Sequence, residues 1–340
     1  MTDAESSPQK VKLTPSSIVR HLDLHVVGQV AAKRTLAVVV YAHYKKLAIA
    51  DEDAMELGKS NVLLVGPTGT GKTLLCETLS RAIRVPFVTA DATSLAQTKF
   101  VNEEIEAILL RLVNKADGDV NKASRGIVFI DEIDKLKSSG GEARATSGEN
   151  VQHALLKIME GSLVKLSNGV TIDTANILFI CGGAFVGLEA VIANSKAYGF
   201  ISLTDASNQL ILDRLNSRIK PTDLIAYGLI PEFTGRLPVV ASLEPLTRDM
   251  LVKIMTIPKN CLYNQFRDII MREGVELNIR PRVFTEIASL AVEYKVGARS
   301  LRGIFEEMIA PVMYVLPDRT DITRVDINSL FEEAVYQTIS

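Results

Sequence analysis

Eight residues, Gly66-Pro67-Thr68-Gly69-Thr70-Gly71-Lys72-Thr73, constrain this chain more than any other stretch. They fit the pattern G-x-x-x-x-G-K-[ST]. They follow an apolar run, Asn61–Val65, and precede a helical pattern that starts at Lys72. Strand, glycine-rich turn and helix form the setting in which this pattern binds phosphate. Glycines let backbone N–H groups close around phosphate oxygens, and the helix N-terminus adds favourable potential. Lys72 is then expected to reach the β- and γ-phosphates, and the Thr73 hydroxyl to hold Mg²⁺. The fold that goes with such a turn is α/β, a parallel sheet flanked by helices.

A second signal is Ile127-Val128-Phe129-Ile130-Asp131-Glu132, an apolar strand ending in two acids. Beside a phosphate-binding loop, the first acid, Asp131, supports Mg²⁺. The second, Glu132, is placed to polarise an attacking water. Read alone, the pair is equally two solvated acids at a strand end. Phosphoryl transfer also needs a cation on the γ-phosphate, and arginine suits that task. Candidates are Arg236, in Ile230-Pro231-Glu232-Phe233-Thr234-Gly235-Arg236, and Arg299, in Gly297-Ala298-Arg299-Ser300. By spacing alone each is more often a surface ion-pair partner.

The rest of the chain alternates strand and helix patterns as far as Pro238. Thr14-Pro15 opens a short helix, and a longer one runs from about Gln29 to Ala48 with Val30, Ala31, Leu36, Val39, Val40 and Leu47 on its apolar side. Strands are expected at Pro86–Thr89, Gly126–Ile130 and Asn176–Cys181, a helix at Glu103–Lys115, and a loop at Ser138–Gly148 before a helix to Glu160. Such alternation argues for a parallel sheet covered on both faces. Gly161–Asp173 reads as a hairpin with an Asn-Gly turn. Beyond Pro238 helices dominate, at Leu246–Ile257, Asn260–Arg272, Pro281–Tyr294 and Ala298–Leu316, with short strands at Val275–Ile279 and Thr323–Val325. The expected division is a flexible tail at 1–12, a large α/β domain at 13–244 and a smaller, mostly helical α+β domain at 245–340.

Composition excludes some classes. Lys+Arg 38 against Asp+Glu 40 leaves a net charge of −2, without the basic surface of a nucleic-acid binder. The longest uncharged apolar stretches, Leu36–Ala42 and Ile177–Leu188, are too short to cross a bilayer. The polar N-terminus lacks the apolar core of a secretory signal. Cys76, Cys181 and Cys261 are far apart and form no metal-binding spacing with the four histidines, which fits a reducing cytoplasm and no zinc.

The chain closely resembles the ClpX family of AAA+ protein unfoldases from about Leu13 to Ile327. The resemblance rests on Val27-Gly28-Gln29, Glu56-Leu57-Gly58-Lys59-Ser60-Asn61, the Gly66–Thr73 loop and Ala90-Asp91-Ala92-Thr93. It continues through Asp131-Glu132-Ile133-Asp134-Lys135, Ser147-Gly148-Glu149, Cys181-Gly182-Gly183-Ala184-Phe185 and both arginine segments. It implies an ATP-driven homo-hexameric ring that uses ATP and Mg²⁺ and acts on unfolded or tagged proteins. It places nucleotide between the two domains, against Val26, Val27, Gly66, Pro67, Thr68, Gly69, Thr70, Gly71, Lys72, Thr73, Leu74, Asp131 and Arg299. Arg236 resembles the finger that acts on a neighbouring subunit's ATP, and Arg299 the arginine that couples ATP state to domain angle.

The sequence also departs from the family. No counterpart of its four-cysteine zinc module is found in these residues. The Gly-Tyr-Val-Gly loop that grips polypeptide in the pore is matched by Lys99-Phe100-Val101-Asn102. The ring is kept and both glycines are lost, which stiffens the loop. Phe100 also reads as an apolar staple onto the helix that follows. A second pore loop is matched at Ala145-Thr146-Ser147-Gly148-Glu149, whereas the family's basic Arg-Lys-His loop is replaced by the short hairpin. The Ile-Gly-Phe element that docks a ClpP-type peptidase is matched by Tyr198-Gly199-Phe200, which also reads as packing on its own domain. The expected function is ATP-dependent unfolding of protein, with delivery to such a peptidase. The alternatives are an ATP-binding ring scaffold and, against the charge balance, a nucleic-acid motor.

Overall fold

The computed structural model describes residues 13–53, 59–137, 142–196, 218–294 and 297–338. The tail at 1–12, part of the Glu56–Asn61 motif and the Tyr198-Gly199-Phe200 triplet lie outside the described residues.

The chain builds a parallel five-stranded sheet from β1 (Val62–Val65), β2 (Phe87–Asp91), β3 (Ile127–Asp131), β6 (Leu178–Gly183) and β7 (Val239–Ser242), in the order β2-β3-β6-β1-β7. A two-stranded hairpin, β4 (Leu163–Lys165) and β5 (Thr171–Asp173), precedes β6, as the Asn-Gly turn predicts. The strands read as unbroken apolar runs because both sheet faces are buried. Leu63, Val65, Val128 and Ile130 enter one core, while Val62, Leu64, Ile127 and Phe129 enter the other. That division follows the two-residue period of a strand.

Helices cover both faces. The first core is sealed by α5 (Val101–Lys115) and α7 (Glu142–Glu160). The second is sealed by α1 (Pro15–Asp23), α2 (Val30–Asp53) and α3 (Lys72–Ile83). Thr14 caps α1 as expected, accepting from the Ser17 N–H with Pro15 in the first turn. The apolar side of α2 differs from expectation. Val30 is 56% exposed, Ala31 faces out as well, and Gln29, Ala32 and Lys33 are buried instead. Lys33 is drawn in because its ammonium reaches the Asp23 carboxylate at 2.7 Å. The loop expected to run to Gly148 gives way to helix from Glu142. Strand β7 went unseen in the sequence because it is only four residues long and follows Pro238 directly. It exists through pairing with β1, Val62 against Val239.

The C-terminal part has its own core, from Leu251 to Ile327. Helices α11 (Arg248–Thr256), α12 (Leu262–Arg272), α13 (Pro281–Glu293) and α14 (Arg299–Val315) pack with β8 (Glu276–Ile279), β9 (Ile322–Ile327) and the edge strand β10 (Val335–Thr338). Phe266 stacks on Phe305 with centroids 5.2 Å apart. β10 is mostly exposed, so its sequence carries no buried period. Gln29 ties the start of α2 to the chain leaving β7. Its side-chain amide donates to the Glu244 carbonyl and accepts from the Glu244 N–H, both at 2.8 Å.

At the N-terminal edges of β6 and β7, His43, Lys46, Lys59 and Asn176 line a cavity of ≈ 150 Å³. Burial lowers the His43 pKa from 6.5 to about 4, with Lys59 and Lys46 adding to the effect and a hydrogen bond to the Asn176 carbonyl opposing it. A neutral folded His43 contributes fully above pH 6.5, and that contribution is lost as pH falls through about 4. The complete effect is about 3 kcal/mol. Urea unfolding from pH 7 to 4 should therefore fall less steeply for His43→Gln than for the unaltered chain. Parallel curves would refute the buried neutral imidazole.

Candidate active site

The turn leaving β1 enters α3 through Gly71, whose φ is +92°. An L side chain is strained there, which accounts for glycine at this point of the pattern. Lys72 is buried at the start of α3, and its ammonium donates to the carbonyls of Gly66 at 2.6 Å and Pro67 at 3.1 Å. Burial lowers its pKa. Asp131, Asp134 and Glu132 oppose that shift and Arg299 adds to it. One ammonium thus sits within the field of three carboxylates and a guanidinium.

The acids come from the end of β3. The Thr73 hydroxyl donates to Asp131 Oδ2 at 3.3 Å, and the Glu132 N–H donates to Asp131 Oδ1 at 2.9 Å. Glu132 has φ +58°, left-handed for a non-glycine residue, and opens a short 3₁₀ turn, Ile133–Leu136. Such a backbone costs roughly 1–2 kcal/mol and persists where the surroundings impose it. It turns the chain sharply, so that Glu132 and Asp134 both face the space beyond Thr73.

That space is a cavity of ≈ 340 Å³ lined by Thr68, Gly69, Gly71, Lys72, Thr73, Asp131, Glu132, Asp134, Lys135 and Arg299, among others, while Gly66, Pro67 and Thr70 of the expected set lie outside its wall. A hydroxyl and a carboxylate in contact are hard oxygen donors. They suit Mg²⁺, which is held by one or two protein groups together with phosphate oxygens. Among the described residues no cluster of three or more His, Cys, Asp or Glu side chains could hold a metal without a ligand's help.

The structure brings Lys72, Thr73, Leu74, Asp131, Glu132 and Arg299 to one cavity. Arg299 arrives from the far part of the chain, where the Ala298 N–H donates to the Gly69 carbonyl at 3.3 Å and sets the start of α14 on the glycine turn. Arg236 does not line this cavity. Its guanidinium pairs with Glu160 at 2.6 Å, both side chains about half exposed. Within one chain it is therefore the surface ion-pair partner that spacing favoured. Val26 is 5% exposed in the second core, and neither it nor Val27 lines the cavity. Phe100 stands just before α5 and is 62% exposed, so it is not a staple buried against that helix. Lys99 and Asn102 are exposed beside it, and Val101 is half-buried. Ala145–Glu149 lies within α7.

Sequence reasoning gave no role to Asp134, Lys135, Ala184, Val186 or Ala298, all of which line the cavity. The signal was present for the first two, which stand two and three residues beyond Glu132. Ala184 stands in the Cys181–Phe185 motif without a role read from it and Val186 in none, and the pairing of β3 with β6 brings both in.

Comparison with known proteins agrees with this geometry. The family described as "AAA domain (Cdc48 subfamily)" matches residues 58–240, and the "C-terminal, D2-small domain, of ClpB protein" matches residues 246–327. A ClpX protein of Methylococcus capsulatus, named "ATP-dependent Clp protease ATP-binding subunit ClpX 3", is 44% identical over 93% of this chain and 79% of its own length. ClpX proteins of two Porphyromonas gingivalis strains are 42% identical over 94% of this chain and 82% of theirs. The chain belongs to the ClpX family. As a ClpX-family member it is an AAA+ ATPase of the chaperone type, with the α/β large-domain fold that its turn and strands predict. Among the described residues of this ClpX relative, no helix is long and apolar enough to cross a membrane.

Proposed function

We propose that this ClpX-family ATPase unfolds proteins by threading them through the pore of a homo-hexameric ring. One observation carries the reading. A single cavity gathers Lys72, Thr73, Asp131 and Glu132 from the sheet and Arg299 from the C-terminal part. Hydrolysis at that point is felt directly by both parts of the chain. The reading divides the chain into a large domain at 13–244 and a small one at 245–340.

ATP would lay its phosphates over the glycine turn. Lys72 would exchange its bonds to the Gly66 and Pro67 carbonyls for the β- and γ-phosphates. Thr73 and Asp131 would hold Mg²⁺, which when bound neutralises phosphate charge. Glu132 would take a proton from the attacking water. Arg236 would act on the neighbouring subunit's ATP, as its distance from the cavity of its own chain suggests. A further cavity of ≈ 520 Å³ on the other side of Thr73 and Asp131, with Glu104 and Arg111 in its wall, leaves room for a guanidinium from outside. A trans arginine demands a heterologous contact, which closes into a ring. With ATP consumed, Arg299 and Ala298 would shift against Gly69 and re-angle the small domain.

The grip falls to Phe100, an exposed ring at the head of α5. Substrates would be unfolded or tagged polypeptides, and Tyr198-Gly199-Phe200 would offer a contact for a ClpP-type peptidase. Three free, buried cysteines fit work in the cytoplasm. The test is ATP-dependent loss of fluorescence from a tagged fluorescent protein, with a trap for the unfolded product, with and without a ClpP peptidase. Phe100→Ala should keep ATP turnover within about twofold, since the ring lies outside the cavity, and should lower unfolding by at least about tenfold, as expected for a lost aromatic anchor. Unchanged unfolding by that variant would refute the grip, and no ATP-dependent unfolding by the unaltered chain would refute the function.

A further inference from the structure

The two residues that end β6, Gly182 and Gly183, carry no side chain into the cavity. The central strand of the sheet therefore points at the phosphate region with nothing of its own to offer there. The gap is filled from the neighbouring turn. Asp134, 2% exposed, sits in front of the strand end, and its Oδ1 accepts from the Ala184 N–H at 3.1 Å. A Cβ at residue 183 would lie 2.6 Å from that same Oδ1 and 2.7 Å from the Phe185 ring. Glycine at 183 and aspartate at 134 thus occupy the space of one ordinary side chain.

We infer that Asp134 is a positioning residue for ATP hydrolysis, standing in for the missing side chain of β6 by bracing the Ala184–Val186 wall of the cavity. It acts through the hydrogen bond to Ala184, which fixes the wall that Ala184 and Val186 give the cavity. The Lys135 ammonium stands 3.9 Å from the other oxygen, Oδ2. Asp134 lines the cavity together with Asp131 and Glu132, so a wall that shifts changes the space in which phosphate and water must be aligned.

This inference rests on the cavity being the site of ATP hydrolysis, and the experiment separates the two. Asp134→Ala frees the Ala184 N–H, whereas Asp134→Asn keeps the shape and an oxygen to accept from it. ATP turnover is measured against ATP concentration, beside a thermal melt. The expected result for Asp134→Ala is a kcat lowered by about tenfold, as for other residues that orient a reacting group, with KM unchanged, and for Asp134→Asn a kcat recovered toward that of the unaltered chain. Wild-type kcat in Asp134→Ala, or Asp134→Asn no better than Asp134→Ala, overturns the inference and leaves the ATPase intact. A melt that collapses, or a raised KM with unchanged kcat, overturns it too, by making Asp134 a structural group. No turnover by the unaltered chain would instead strike the site itself.

Discussion

Arg236→Ala should lower ATP turnover by about 1,000- to 100,000-fold, the range for an arginine that neutralises the transferring phosphoryl group. The loss should occur with ATP binding intact, because Arg236 does not line the cavity of its own chain and its guanidinium is held by Glu160 at 2.6 Å. Glu160→Ala is the control. It frees the guanidinium without removing it, and an exposed ion pair contributes little to stability, typically about 0–1 kcal/mol. Mixing decides the geometry. Subunits lacking Arg236 keep a complete cavity, whereas subunits carrying Glu132→Gln keep the arginine. If Arg236 acts in trans, a mixed ring regains turnover at interfaces where an Arg236→Ala cavity meets a neighbour with its arginine. An Arg236→Ala protein that hydrolyses ATP at the unaltered rate would remove the arginine from the mechanism, and a mixture with no recovery would refute its action in trans.

Glu132→Gln should keep ATP bound and lower turnover by about 100- to 10,000-fold, the usual contribution of a positioned general base. Glutamine keeps the length and the left-handed backbone at φ +58° imposes the same turn. The Glu132 N–H would still donate to Asp131 Oδ1, so the Thr73–Asp131 contact should persist. Fluorescent nucleotide titration and steady-state phosphate release measure the two halves of the prediction. Weakened nucleotide binding with normal turnover would assign Glu132 to binding.

Much of this site was legible in the sequence because its central part is local. Gly66–Thr73 spans one turn, and its glycines and lysine have their roles by virtue of backbone conformation within eight residues. Asp131 and Glu132 were legible because an apolar run that stops at an acid pair marks the end of a buried strand. The buried strands were legible for the same reason, while β7 and β10 were not. Each is four residues long. β7 is defined by the partner it pairs with and β10 by its place at an exposed edge. The polar face of α2 was misread because Lys33 is buried by its ion pair with Asp23, and hydropathy does not register a partner ten residues away.

The sequence by itself determined the glycine-rich turn, the acid pair, the parallel α/β sheet and the membership of the ClpX family, since each depends on residues close together in the chain or on their order. Only the tertiary structure decided which distant groups share the cavity. It brought Ala298 onto Gly69 and so Arg299 to the site, set Asp134 in the space that Gly183 leaves free, and kept Arg236 on Glu160 away from both. These placements follow from how strands pair and helices pack across more than a hundred residues of chain, and side-chain type and spacing do not encode that distance.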